Sequence, residues 1–340
     1  MAKPEWHPER LAARLPFLDR RAALTAATRA FFTARGYREV ETPCLVPAPG
    51  AEVHIRAFET RFDPHLGAGE GRQLWLRTSP ELAIKKLLAG GCGPVFELAR
   101  VWRNGEVSAR HAPEFTMLEW YRPGLSFEGL MAETEDFVRA VCPPVVEHGG
   151  IRTDLSQPFE RLTMQDAFAR HCNGLDVLGT EGDAARLHAA AAAAGLPPRA
   201  DESWEDLFFR LLLERVEPAI GRDRATFLTH WPAPQAALAR RDPADPRAAL
   251  RFELFAAGIE LANAFDELTD PAEQRLRFAE ANAERRRITG VHGWDIDEDF
   301  IAALETGLPA TAGIALGFDR LAMLASGART IEDVLWLTVT

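Results

Sequence analysis

The chain is poor in cysteine, has no long apolar run and carries fewer basic than acidic side chains, and each shortage removes a class of protein. Its four cysteines, Cys44, Cys92, Cys142 and Cys172, are widely scattered and form no C-x-x-C pair. Neither a zinc ribbon nor a redox pair is indicated, and reduced thiols are expected. No stretch approaches the roughly 18 uninterrupted apolar residues that a membrane helix needs. The first twenty residues alternate charge and proline without the apolar core of a secretory signal. A cytoplasmic location with no membrane partner is therefore expected. Thirty-nine Lys and Arg against fifty Asp and Glu leave a formal charge of −11, which argues against broad, sequence-blind nucleic-acid binding. No internal repeat is visible. What is present is an ordinary globular composition, 47% hydrophobic and 26% charged over 340 residues, long enough for about two domains and a large core.

The densest chemistry lies between Trp102 and Tyr121 (WRNGEVSARHAPEFTMLEWY), where two runs of period two flank a polar loop. Val95, Glu97, Ala99, Val101 and Arg103 share one parity, which predicts a strand with Arg103 emerging at its end on the Glu97 side. Phe115, Met117, Glu119 and Tyr121 share a parity in a second strand, lining one face with an aromatic ring, a thioether, a carboxylate and a phenol. A plain antiparallel hairpin, with Arg103 paired to Glu119 and the aromatics packed, also accounts for this face taken alone.

Elsewhere the chain alternates helix and strand signals. Residues 1–16 are rich in proline and arginine and read as a loose lead-in. From about Asp19 to Arg35 the positions Leu24, Ala27, Phe31 and Arg35 recur at helical spacing, with Gly36 as the C-terminal cap and a short strand, Tyr37–Thr42, stopped by Pro43. Leu74–Arg77 reads as a strand entering a helix at Thr78-Ser79-Pro80-Glu81. Either hydroxyl there suits the cap, and Glu81 is either a capping carboxylate or a ligand. Between about 124 and 248 the sequence loses catalytic character. A helix opened by Thr180-x-x-Asp183 and another from Trp204 to Val216 suggest a helical insertion, and Arg240–Ala248 reads as a loop. Asn263, Phe265 and Glu267 then share a strand face. A buried Asn and Glu cost several kcal/mol unless partnered, so they meet either a basic side chain or a cationic ligand. Finally, Gly313–Leu324 (GIALGFDRLAML) reads as a glycine-bearing strand running into a helix. A tight strand crossing fits it, and so does an anion held by the helix N-terminus and Arg320.

These strings carry a resemblance. Trp102-Arg103-Asn104-Gly105-Glu106, then His111-Ala112-Pro113-Glu114-Phe115-Thr116 and Glu119-Trp120-Tyr121, resemble the second signature motif of class II aminoacyl-tRNA synthetases in its lysine-specific form. The ending EFTMLEWYRP is similar to that of the elongation factor P (R)-beta-lysine ligases, short paralogues of lysyl-tRNA synthetase. YREVETPCL (37–45) resembles the first class II motif and GIALGFDRLAML the third. Asn263-Ala264-Phe265-Asp266-Glu267 resembles the family's lysine-binding face. The resemblance runs from about Phe17 to the C-terminus, and the chain departs from the family pattern at Gly105, Ala112 and Ala264.

The resemblance implies an α+β fold: a class II aminoacyl-tRNA synthetase-like antiparallel sheet flanked by helices, one catalytic domain over 17–340 with the helical insertion, and a homodimer built through the first motif. The implied reaction activates (R)-beta-lysine or lysine with ATP and Mg2+ as an aminoacyl-adenylate and passes it to an amine. Arg103 and Arg320 would be the catalytic arginines, on the alpha- and gamma-phosphates. The nucleotide site would add Asn104, Gly105, His111, Ala112, Phe115 stacked on adenine, Glu260, Leu261 and Gly317. Glu253 and Glu260 would hold magnesium. Ser79, Pro80, Glu81, Glu119, Tyr121, Asn263, Phe265, Glu267 and Ala315 would take the amino acid, a dication that accounts for so many carboxylates. With about sixteen residues before the first motif, no anticodon-binding domain is expected. Elongation factor P, rather than tRNA, is the implied partner. Glu260 has the opposite parity to Glu267, so a bulge or twist is expected in that strand if both serve one site. Two other readings stand beside this one: a degenerate paralogue that binds lysine or a partner without activating it, and a truncated synthetase charging another acceptor.

Overall fold

The computed structural model describes residues 4–65, 69, 71–236, 238–290 and 293–339, so residues 1–3 of the expected lead-in lie outside the described residues. The chain forms two compact units, Met1–Leu125 with Leu268–Thr340, and Ser126–Glu267.

The first unit opens with α1 (Pro8–Ala34), whose buried side repeats at helical spacing through Arg14, Leu18, Arg21, Leu24, Thr28 and Phe31. Residues from Pro8 onward are thus helical and not a loose lead-in. Pro8 occupies the first helical position, where its missing N–H is no loss, and the His7 ring accepts the Glu9 N–H as a cap. Gly36, at φ +78°, ends the helix. β1 (Arg38–Glu39) is shorter than the run expected over 37–42. β2 (Leu45–Val46), β3 (Glu59–Phe62) and β4 (Arg72–Leu76) form a small antiparallel sheet. α2 (Glu81–Ala89) then leads to a hairpin of β5 (Val95–Trp102) and β6 (Glu114–Pro123), whose register sets Glu97 opposite Glu119 and Val101 opposite Phe115. β1 lies parallel to β5, so the sheet is mixed and not wholly antiparallel. The path from β1 to β5 passes through α2, the kind of crossover that parallel pairing requires.

The second unit carries α3 (Phe127–Val141), β7 (Val145–His148), β8 (Ile151–Asp154), β9 (Glu160–Thr163), α4 (Met164–His171), α5 (Ala184–Ala193), α6 (Trp204–Leu211), β10 (Thr226–Pro232), β11 (Ala248–Ala256) and β12 (Ile259–Asp266). The stretch expected to be a helical insertion therefore holds strands as well. β7 and β8 form a hairpin turned by Gly149 and Gly150, both at positive φ, the geometry that a Gly-Gly pair favours. β12, β11, β10 and β9 are neighbours in that order, with β9 parallel to β10. The helices close a separate apolar core in which Phe208 stacks between Trp204 at 4.9 Å and Phe168 at 5.4 Å. Asp183, rather than Thr180, caps α5 by accepting the Arg186 N–H, while the Thr180 hydroxyl accepts from the Trp204 indole.

The chain returns to the first unit as α7 (Pro271–Thr289), α8 (Glu298–Gly307), β13 (Thr311–Gly317), α9 (Phe318–Ser326) and α10 (Ile331–Val334). β13 runs antiparallel to β6 with Ala315 opposite Glu119 and Gly317 opposite Met117. Among the described residues no helix is long and apolar enough to cross a membrane.

Candidate active site

In the first unit a wholly buried carboxylate, Glu119, sits mid-strand on β6. The Ser79 hydroxyl donates to its Oε1 at 2.6 Å and the Tyr121 phenol to its Oε2 at 2.8 Å. Ser79 also accepts the Glu81 N–H at 2.9 Å, so one hydroxyl opens α2 and ties it to Glu119, whereas Thr78 turns to the Pro49 carbonyl. Among the described residues Glu119 has no ion pair. Burial, and after it the charges of Glu81 and Glu97, push its pKa up to about 8 despite both hydroxyls.

Its two carboxylate neighbours are treated differently. Glu81 is paired at 2.5 Å with Lys85, one turn along α2 and itself buried; burial still raises its carboxyl, with Lys85 opposing. Glu97 is held by Arg77 at 2.8 Å and by the Thr42 hydroxyl at 2.7 Å. Among the described residues Glu81 and Glu97 thus each have a cation, Lys85 and Arg77, and Glu119 has none. The Ala315 residue faces Glu119 across the strand pair and packs with Phe115 against Ala99, Val101 and Met117.

The loop between β5 and β6 gathers the candidate phosphate ligands. Gly105 has φ +86°, a conformation an L side chain rarely adopts, which explains why a glycine stands where the family pattern has Glu. Glu106, one place later, lies 3.9 Å from Arg103. The Arg103 guanidinium lies 5.3 Å from the Phe115 ring centre, and its buried Nε has no hydrogen-bond partner among the described residues. Asn104 is fixed through its backbone N–H to Arg56, and Ala112 is buried. His111 Nε2 lies 2.6 Å from Arg320 and its Nδ1 2.7 Å from the Ser108 hydroxyl. Arginine has only donors, so Nε2 accepts and the ring is the neutral tautomer with its proton on Nδ1. Gly317 precedes α9, and a Cβ there would stand 3.3 Å from the Arg320 stem. The neighbouring Asp319 accepts the Thr116 N–H at 2.7 Å and pairs with Arg21 of α1, which fixes the start of α9 against β6.

In the second unit β11 and β12 carry the remaining candidates. The register pairs Glu253 with Asn263 and Arg251 with Phe265, then shifts, so that Leu261 is an extra residue and Glu260 falls opposite Phe255. This is a bulge of the kind that a single site for Glu260 and Glu267 would need, and it returns Glu260 to the Glu253 side. Arg251 binds Glu253 at 2.7 Å, Asn263 Oδ1 at 3.1 Å and the Gln235 carbonyl at 2.8 Å. Burial and then the Glu260 charge push the Glu253 carboxyl up to about 8, with Arg251 opposing. Glu267 is buried just past β12 and bridges to Ala239, and Asp266 beside it pairs with Arg240 at 2.7 Å. Pro80 is the residue before α2.

Among the described residues no group of three or more His, Cys, Asp or Glu side chains is placed to enclose a metal. Two carboxylates on one side of the β11–β12 pair, Glu253 and Glu260, nevertheless fit magnesium, which binds through one or two carboxylates together with phosphate oxygens.

Sequence reasoning missed Lys85, Arg251, and the Arg77–Glu97 and Arg21–Asp319 pairs. The first had a signal in the i, i+4 spacing of Glu81 and Lys85, the second in the shared parity of Arg251 and Glu253.

The family of class II tRNA synthetases (D, K and N) matches residues 11–340. A protein of Klebsiella pneumoniae (strain 342) named elongation factor P–(R)-beta-lysine ligase is 46% identical over 338 residues, 98% of this chain and 97% of its own. A protein of the same name from Salmonella paratyphi B is 45% identical over the same shares. The chain therefore belongs to the class II tRNA synthetase family, in the branch whose members are named elongation factor P–(R)-beta-lysine ligases.

Proposed function

We propose that the protein is an ATP-dependent ligase that activates (R)-beta-lysine or lysine and transfers it to a lysine side chain of elongation factor P. In the first step a carboxylate oxygen of the amino acid bonds to the alpha-phosphorus of ATP and pyrophosphate leaves. In the second the acceptor amine attacks the acyl carbon, AMP leaves and the amine loses a proton. Neither step needs a nucleophile from the protein, so alignment and charge neutralisation are the chain's work. Arg103 stabilises charge on the alpha-phosphate and Arg320, kept in place by His111, on the gamma-phosphate, with Phe115 under the adenine and Asn104, Gly105, Ala112, Leu261 and Gly317 completing the nucleotide contacts. Magnesium, held by Glu253 and Glu260, would neutralise phosphate charge.

The observation that carries the reading is Glu119. A buried acid held, among the described residues, by the Ser79 and Tyr121 hydroxyls and by no cation, is a poor structural element and a good seat for an ammonium group. Glu81 and Glu267 contribute further negative charge for a substrate with two ammonium groups, and Asn263, Phe265, Pro80 and Ala315 shape the remainder. The long α1 and β1, which in the resembling family build the dimer interface, support a homodimer, and the acceptor chemistry supports a cytoplasmic location.

The test is to offer the protein ATP, (R)-beta-lysine or lysine, and elongation factor P, and then to weigh the factor. A lysine-sized gain on one lysine is expected. Absence of any lysine-dependent pyrophosphate exchange would instead mark a binder that does not activate, and label in RNA would mark a different acceptor.

A further inference from the structure

We infer that Arg251 is a positioning residue for the amino-acid site, one that orients the Asn263 amide so that its NH2 group, and not its oxygen, is left for the substrate. The inference rests on the proposed ligase reading in naming Asn263 as a substrate residue. Arg251 lies on β11 directly across from Phe265, with Glu253 two residues on and Asn263 opposite Glu253. Its guanidinium is engaged on three sides, Nε to Asn263 Oδ1 at 3.1 Å, Nη1 to the Gln235 carbonyl at 2.8 Å and Nη2 to Glu253 at 2.7 Å. It also lies 4.0 Å from the Trp231 ring centre, which restrains its plane. An amide oxygen and nitrogen are hard to tell apart by position alone. Here the assignment follows from chemistry: arginine offers five donors and no acceptor, so the Asn263 atom that faces it is the oxygen.

The consequence is a sign. With Oδ1 consumed by Arg251, Asn263 presents two N–H donors, which suit an anionic oxygen of the substrate, its carboxylate, and repel an ammonium. Lysine at position 251 would not reproduce this, because a single ammonium lacks the flat fork that serves Glu253, Asn263 and Gln235 together.

Two measurements on the full-length protein test the assignment. The first needs no ligand: the side-chain NH2 signal of Asn263 in a nitrogen-15 spectrum, identified by its loss in Asn263→Ala, should shift and broaden in Arg251→Met while the remaining spectrum and the thermal midpoint report an intact fold. The second is a double-mutant cycle on lysine or (R)-beta-lysine binding by calorimetry without nucleotide. Arg251→Met alone should weaken binding about tenfold to a hundredfold, the range for a hydrogen bond to a charged group. In the Asn263→Ala background it should add little. Asn263→Asp, which sets a carboxylate against the substrate carboxylate, should bind worse than Asn263→Ala. An unchanged amide signal in Arg251→Met, strictly additive losses, or Asn263→Asp binding better than Asn263→Ala would each overturn the assignment. If the unaltered protein takes up neither amino acid, the ligase reading fails, and the amide signal still decides whether Arg251 orients Asn263.

Discussion

Glu97 and Glu119 face each other across β5 and β6, yet one is finished and the other is waiting. Glu97 meets the Arg77 guanidinium at 2.8 Å and a threonine hydroxyl, and the Arg77 fork is further anchored on the carbonyls of Thr42 and Arg100. Glu119 meets two hydroxyls, which stabilise an anion through hydrogen bonds but cancel no charge. The contrast teaches how to separate a structural acid from a binding acid when both are buried: a binding acid lacks a cation of its own, and the protein tolerates a raised pKa there. Glu81, raised by burial and paired with Lys85, lies between these extremes.

The comparison breaks most sharply under paired substitutions. Glu119→Gln keeps shape and removes charge, so lysine-dependent pyrophosphate exchange should fall at least about a hundredfold, as expected when a buried ammonium loses a partner whose removal is worth about 3–5 kcal/mol. The ligand-free protein should be no less stable. Glu97→Gln should do the reverse, stranding Arg77 and lowering stability by up to about 3 kcal/mol, with any loss of activity following the loss of folded protein. Equal thermal midpoints for the two variants would erase the distinction between them.

Next in size is Arg320→Ala. Charge-assisted contacts to a phosphate strengthen as charge redistributes in the transition state, so about a hundredfold should be lost from adenylation. Substrate affinity in the absence of ATP should be untouched, which separates the nucleotide arginine from the amino-acid acids. Unaltered exchange in this variant would remove the third motif from the mechanism.

The pH dependence is smaller and its sign is fixed. Glu119 titrates near 8 when folded against an ordinary 4.5, so between those values the native protein keeps a proton that the unfolded chain has lost. Stability of the ligand-free protein should therefore fall as pH rises from about 4.5 to about 8, and lysine affinity should rise over the upper part of that window as the carboxylate forms. Glu119→Gln should flatten the affinity trend and part of the stability trend, leaving the share of the latter that belongs to Glu253. A lysine affinity that declines from pH 7 to 8 would contradict a waiting carboxylate.

Much of this was legible in the residues, and the failures have physical reasons. The hairpin over 95–123 follows from period-two alternation, and a bulge or twist in β12 is expected if Glu260 and Glu267 serve one site; the structure puts it at Leu261. The start of α1 was hidden because proline is read as a breaker, although Pro8 is welcome at the first helical position and Pro16 is carried inside the helix. The strands β7 to β9 were hidden because four-residue strands leave little periodic signal. Arg251 was hidden for another reason: its partner Asn263 lies twelve residues away on the next strand, and that pairing depends on where the bulge falls.

The finest test concerns one methyl group. Ala315 lies opposite Glu119 in the register and packs beside Phe115, while Gly313 and Gly317 stand two residues to either side. The Cβ of Ala315 therefore projects on the Glu119 side, where a glycine would leave space. If it crowds the alpha-amino position, it favours a substrate whose amine sits one carbon further along. Ala315 is only partly buried, so the effect belongs at the low end of what a single methyl discriminates, about 1 kcal/mol or roughly tenfold. Ala315→Gly should raise the specificity constant for alpha-lysine relative to (R)-beta-lysine by about that factor, with Glu119 still titrating near its original pH and the fold intact. A ratio that stays fixed would mean that the methyl does not bound the pocket, and that the choice between the two amino acids is made by the acids alone.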